Sequence, residues 1–155
     1  MYHITVQRAV VEKSIPSAAK LKRWAKQVLE KKTPTAELTI RIVDEEEMTM
    51  LNSTFRKKDK PTNVLSFPHD VPAEFNEDVP MLGDIVICAP VIKQEALDQA
   101  KAEEAHWAHM VVHGILHLLG FDHENDQDAE AMENEEITIL QSLGFNNPYK
   151  IAGER

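Results

Sequence analysis

The chain has 155 residues, 43% of them hydrophobic, and a net charge of −9; that length suits one domain with one core, and that composition excludes disorder as the default. No run approaches the roughly eighteen apolar residues of a membrane span, and the first residues lack the basic-then-apolar order of a signal peptide. Cys88 is the only cysteine, so no internal disulfide can form, which points to a cytoplasmic setting. Residues 1–60 hold 13 Lys and Arg against 8 Asp and Glu, whereas residues 61–155 hold 4 against 18. An acidic total argues against general adhesion to nucleic acid. The uneven split suits either a face that meets an anion opposite one that repels it, or an unevenly solvated surface.

Residues 2–7 alternate and predict a strand. Ser14-Ile-Pro-Ser opens a helix to about Lys31, with an apolar stripe of Ala18, Leu21, Ala25, Val28 and Leu29. Glu37 to Val43 alternates as a second strand. Asp44, with Glu47 three residues on, makes a capping-box-like start for a short helix whose inner stripe is Met48, Leu51 and Phe55. Arg56 to Asn63 is a basic loop. Residues 63–67 and 82–88 are strand-like, and the acidic stretch from His69 to Pro80 between them reads as a loop. Pro90 fits the first turn of a helix to about Lys101. A further helix runs from about Glu103 to Leu119 and stops at Gly120. The last covers about Asp126 to Leu143, with Ala129, Met132, Leu140 and Leu143 as its buried face and Gly144 at its end. Strands early and helices late favour an α+β fold, a small mixed sheet packed with about five helices, over a doubly wound sheet. The expected organisation is one domain over residues 1–155, with the last ten or so as a tail.

The stretch from His113 to His123 reads His-Gly-Ile-Leu-His-Leu-Leu-Gly-Phe-Asp-His. Four helical residues advance about 400° and about 6 Å, so His113 and His117 leave one face one turn apart and reach one tetrahedral ion. Gly120 lets the chain turn out of the helix without a Cβ penalty and bring His123 back to the same ion. Three neutral nitrogens suit zinc, one per chain. Three protein ligands with an open fourth position mark a catalytic site, where water is acidified to a pKa of about 7. His109 lies about 12 Å along the axis from His117, too far to share its ion. His106 and His109 therefore read as helix-surface or supporting groups, and Cys88 as a buried small hydrophobe. The spacing HxxxHxxGxxH is that of metzincin proteases, where Glu follows the first His as general base. Here Gly114 stands there, which weakens a peptidase reading.

This motif, the Ala-His-Trp-Ala-His-Met-Val-Val-His-Gly block running into it, Arg56-Lys-Lys-Asp-Lys-Pro-Thr-Asn-Val-Leu-Ser-Phe, and Leu-Gly-Asp-Ile-Val-Ile-Cys88 together closely resemble the YbeY family of bacterial endoribonucleases. The resemblance extends over most of the chain and is loosest in the first 35 residues, at 70–80 and in the last dozen. It implies a small α+β fold, zinc on His113, His117 and His123, and cleavage of single-stranded RNA. It also implies work in 3′-end maturation of small-subunit (16S) rRNA and in ribosome quality control. The family's functionally important arginine falls on Arg56. Arginine can clamp a phosphate through two parallel hydrogen bonds, and Lys57, Lys58 and Lys60 would draw the backbone in. Asp122 and Glu124 flank His123 and either orient an imidazole or begin the next helix. The acidic final helix, with Asp128, Glu130, Glu133, Glu135 and Glu136, is either a solvated face or a surface for a basic ribosomal protein. Two other function classes stay open: a zinc hydrolase of another ester or amide, and a ribosome-assembly factor whose zinc is structural.

Overall fold

The computed structural model describes residues 1–10, 12–69, 81–122 and 124–149. Among them the order is β1 (Tyr2–Arg8), α1 (Ala18–Glu30), β2 (Ala36–Val43), α2 (Glu45–Arg56), β3 (Val64–Pro68), β4 (Met81–Cys88), α3 (Ala89–Asp98), α4 (Glu103–Leu118) and α5 (Asp126–Ser142). The strands form one mixed sheet in the order β1-β2-β4-β3. β1 and β2 are parallel, β2 and β4 are parallel, and β3 runs antiparallel to β4. This is the expected α+β architecture with five helices. Residues 70–80 of the expected loop and the part of the expected tail beyond Tyr149 lie outside the described residues; Tyr149 itself is tied to Glu136 of α5.

Alternation along the strands sorts side chains to two unequal faces. Leu38, Ile40 and Ile42 of β2 and Ile85 and Ile87 of β4 point into the main core with α1, α4 and α5. Val43, Val86, Cys88 and Leu65 point the other way and pack with Met48 of α2 in a smaller cluster. Cys88 is fully buried there, and burial pushes its thiol up to about 11, so it is an inert hydrophobe as expected. Among the described residues no helix is long and apolar enough to cross a membrane.

The helix ends follow from local chemistry. Ser17 Oγ accepts from the Lys20 amide at 3.1 Å, so α1 starts at Ala18, four residues after the first serine of the expected opening. Asp44 accepts from the Glu47 amide at 2.9 Å. The capping box is only half made, because the Glu47 carboxylate turns to the Arg41 guanidinium at 2.6 and 2.9 Å. α4 and α5 end alike. Gly120 donates to the His117 carbonyl and Phe121 to that of Leu116, and Gly144 and Phe145 repeat the pattern on Gln141 and Leu140. Both glycines have positive φ, as this closure requires.

The inner stripe expected for α2 needs correction. Met48 is buried, but Phe55 is 62% exposed and Asn52 takes the inner place. Its Nδ2 donates to the Lys60 carbonyl at 2.8 Å and its own carbonyl accepts from the Lys58 amide, so Asn52 ties the basic loop back to the helix. A phenyl ring could not satisfy that backbone oxygen.

α4 is buried almost all round, as a central helix must be. Its approach to the sheet is set by Gly114, where a Cβ would come within 2.8 Å of Ile85 Cγ2. Gly114→Ala should therefore lower unfolding free energy by about 1–3 kcal/mol through overpacking, although alanine is worth about 1 kcal/mol more helix propensity. In an Ile85→Ala background, where the opposing methyl is gone, the same change should stabilise. Urea unfolding of the four proteins checks this, and a loss of stability in both backgrounds would contradict it.

Candidate functional site

α4 carries His106, His109, His113 and His117 at spacings of three and four, the register that keeps side chains on one side of a helix. His106 Nε2 lies 2.9 Å from Glu95 Oε1 of α3. His109 Nε2 is hydrogen-bonded to Glu136 Oε2 of α5. His113 Nδ1 is 3.4 Å from Glu136 Oε1, a long contact, and the Nε2 atoms of His113 and His117 are 3.1 Å apart. His113 thus stands between two neighbours, with Nδ1 toward Glu136 and Nε2 toward His117.

Two groupings of donor atoms result. Atoms of His109, His113 and Glu136 lie within 4.8 Å of one another and could hold a metal. The His113 and His117 Nε2 pair faces the cleft. Zinc–nitrogen bonds of about 2.0–2.1 Å in a tetrahedral site set two imidazole nitrogens about 3.3–3.4 Å apart, close to the separation seen, so this pair also fits the ion. His113 turns Nδ1 toward Glu136 of the first grouping and Nε2 toward His117 of the second. A ring that binds metal through one nitrogen commonly donates from the other to a carboxylate, and Glu136 stands where that acceptor is needed. His123 lies outside the described residues.

Glu136 is 1% exposed, so the expectation of a solvated acidic helix fails at this residue. Burial pushes its carboxyl up, but hydrogen bonds from His109 and His113 outweigh that and hold it at about 2. Tyr149 Oη donates to both carboxylate oxygens, at 2.9 and 3.0 Å. Burial and the neighbouring carboxylate raise the Tyr149 hydroxyl, so it keeps its proton. Burial lowers His109, against the pull of Glu136. Its Nδ1 is buried without a partner, so a neutral ring donating from Nε2 leaves no N–H stranded. His106 and His109 are buried at 3% and 7% exposure, not on the helix surface. The remaining acids of α5 do face water: Asp128, Glu130 and Glu133 are exposed, and Glu135 pairs with Lys32 at 2.6 Å.

A cleft of about 590 Å³ runs past the Nε2 pair, with Arg56 from the end of α2, Asn63 and Ser66 beside or on β3, His113 and His117 from α4, and Gly120 and Asp122 beyond it. Ser66 Oγ donates to the Gly114 carbonyl at 3.1 Å, which pins β3 to α4 and fixes the cleft's width. Arg56 is exposed and forms no ion pair among the described residues. Lys57, Lys58 and Lys60 are exposed on the adjoining loop and do not line the cleft; Lys57 closes α2 in the left-handed region at φ 58°. Asp122 lines the cleft, whereas Glu124 lies on the exposed surface. Gly114 cannot be replaced by a glutamate pointing at the site, because its Cβ direction runs into Ile85 of the sheet. Glu136 and Tyr149 were missed from sequence. The signal for Glu136 was its place between Met132 and Leu140 in the apolar period of α5.

Because the folded-state pKa of Glu136 is about 2 against an ordinary 4.5, its contribution to stability is complete above pH ~4.5 and disappears as the pH falls toward ~2. Glu136→Gln should therefore be less stable than wild type at neutral pH, by roughly 1–3 kcal/mol, and the gap should close over that acid range. Urea unfolding against pH, with chelator present to separate this from metal loss, checks it. A gap that stays constant down to pH ~2 would show that the charge is not what stabilises.

Comparison with known proteins agrees with this geometry. The family model described as Endoribonuclease YbeY matches residues 6–144. A curated Endoribonuclease YbeY from Nitrosococcus oceani is 51% identical over 147 residues, covering 95% of this chain and 96% of that protein. A solution structure of a Thermotoga maritima protein matches over 100% of both chains with a TM-score of 0.63 at 27% identity. The matched span runs from β1 to the glycine that ends α5 and includes both walls of the cleft; the chain belongs to the Endoribonuclease YbeY family of RNA-cleaving hydrolases.

Proposed function

We propose that this protein is a zinc-dependent, single-strand-specific endoribonuclease that acts in 3′-end maturation of small-subunit rRNA and in ribosome quality control. The observation that carries this reading is the meeting of Arg56 with His113 and His117 on one open cleft. The family names of its relatives support RNA as substrate. The assigned ligands are His113, His117 and His123, with Glu136 orienting His113 from behind. When bound, zinc supplies Lewis acidity for a phosphate oxygen or a nucleophilic water. Arg56 holds the scissile phosphate from the opposite wall by paired hydrogen bonds. Lys57, Lys58 and Lys60 raise the local concentration of the strand without touching the reacting atoms. The phosphate must come close to a recessed histidine pair, which a flexible single strand does more readily than a duplex. No residue of α5 lines the cleft, so its exposed acids do not oppose RNA there; they are free to meet a basic ribosomal protein. The whole chain works as one domain in the cytoplasm.

A second metal reading rests on the buried His109–His113–Glu136 group, where an ion would hold α4 to α5. Elemental analysis separates the two. The cleft assignment expects about one zinc per chain in wild type and His109→Ala, and loss of zinc in folded His117→Ala and in the His113→Ala/His117→Ala pair. Zinc kept by His117→Ala and lost by His109→Ala would reverse the assignment.

Arg56 is exposed at a helix end, so Arg56→Ala should leave zinc content and melting temperature nearly unchanged while single-strand cleavage falls on the order of 100-fold or more. Arg56→Lys should keep some RNA affinity but regain little rate, since an ammonium cannot form the two parallel bonds. Cleavage kinetics with matched single- and double-stranded RNA check both points, and near-wild-type rates in both mutants would remove Arg56 from the site.

A further inference from the structure

A second groove of about 520 Å³ adjoins the cleft, on the sheet face that α2 covers only in part. Leu51, Phe55, Phe67 and Val86 give it apolar lining, and the Arg41–Glu47 and His69–Asp84 pairs line it as well. Pro68, the last residue of β3, lines both the groove and the cleft, so the two depressions share a wall. Phe55 is 62% exposed, an unusual placement for a large aromatic on a helix that buries only Met48 and Asn52. Its ring meets Phe67 in a T-shaped contact at 5.1 Å, which holds it in place without covering it.

Phe55 and Arg56 are consecutive. Successive side chains on a helix diverge by about 100°, and here the arginine enters the cleft while the phenyl ring enters the groove. One helix end therefore presents a phosphate-binding cation and an open aromatic side by side, the combination by which proteins hold unpaired nucleic acid. The groove itself offers little for a phosphate, since the Arg41 guanidinium is already engaged by Glu47 at 2.6 and 2.9 Å and His69 is paired with Asp84 at 3.0 Å. A neutral base carries no such requirement.

We propose that this groove is a nucleobase subsite: the base of a nucleotide next to the phosphate held by Arg56 leaves the stack, crosses Pro68 and lies against Phe55. The inference rests on reading the cleft as an RNA-cleaving site, and it deepens that reading. A duplex cannot supply an unstacked base without opening, so the subsite adds to the preference for single strands. Continuity with the cleft favours the strand's own base over a segment of another protein, because any strand that reaches Arg56 is already at the groove's edge.

The test pairs protein and substrate changes. A single-stranded RNA is made with an abasic residue at each position around its cut site, and cleavage is followed with zinc-loaded wild type, Phe55→Ala and Phe55→Trp, each checked for zinc content and melting temperature. At low substrate, one abasic position within a nucleotide or two of the cut should slow wild type by about ten-fold or more. Phe55→Ala should slow the intact RNA by a similar factor and lose its sensitivity at that position, while Phe55→Trp should keep it. In stopped-flow fluorescence before turnover, Phe55→Trp should be quenched by intact RNA and less by the matching abasic RNA. The native Trp24 and Trp107, at 4% and 1% exposure, are shielded and serve as background. Wild-type cleavage of intact RNA by Phe55→Ala, an abasic sensitivity that persists in it, or a Phe55→Trp signal indifferent to RNA would each overturn the subsite, the last pointing to a protein occupant. Failure of zinc-loaded wild type to cut any of the RNAs would instead defeat the enzymatic reading, and the fluorescence arm would still decide the subsite.

Discussion

The close seating of α4 on β4 governs the geometry of everything around it. At Gly114 the helix backbone comes so near Ile85 that no Cβ fits between them, and the carbonyl of the same residue accepts the Ser66 hydroxyl from β3. Close packing of this kind leaves few rearrangements that keep contact, so the helix can neither slide nor turn without losing both. The side facing the sheet is thereby committed, and the histidine side is aimed at the cleft and at α5. The missing glutamate of the protease-like motif belongs to the same constraint. A chain that buries position 114 against a sheet has no room for a general base there, and any proton acceptor must come from elsewhere in the cleft.

On the far side of α4 the constraint is electrostatic. A carboxylate as buried as Glu136 is stable only if its oxygens are well supplied with donors. His109, Tyr149 and His113 supply them, so the charge that opposes folding in isolation becomes the tie between α5, the segment after it and the His113 ring that faces the cleft. The same contacts limit how the His113 ring can rotate. α5 thus acts on the cleft without lining it, through a side chain that composition alone would send to solvent.

Strands and helix ends were legible in the sequence because they depend on short-range rules: alternation in β1 and β2, side-chain caps at Ser17 and Asp44, and glycines at 120 and 144. The His113–His117 pair was legible for the same reason, since a four-residue step fixes the face. The strand order β1-β2-β4-β3 depends on which apolar faces meet across long stretches of chain, and periodicity does not encode that. Phe55 was misplaced because a helical period marks a stripe without saying where the supporting surface ends. The sheet meets it only at one edge, through Phe67 of β3, and Asn52 takes the inner place to satisfy Lys60's carbonyl. For His106 and His109 the sequence left open a place on the helix surface or a supporting role, because histidine is tolerated in both. They are buried because α3 and α5 cover that part of α4 and bring Glu95 and Glu136 to them as matching acceptors.

The two faces of the sheet carry very different amounts of buried apolar material. Under α1, α4 and α5 the core is extensive, whereas α2 rests on Val43, Met48, Leu65, Val86 and Cys88. Local opening costs scale with what is buried beneath an element, so α2 is expected to open more readily than the histidine helix. The walls that β3 and α4 give the cleft are therefore firm, and Arg56 reaches it from the element with the least buried material beneath it. Slow amide exchange would be found in α1, α4 and the central strands before α2, and a strand of RNA gripped by Arg56 would brace the part of the protein that least holds itself.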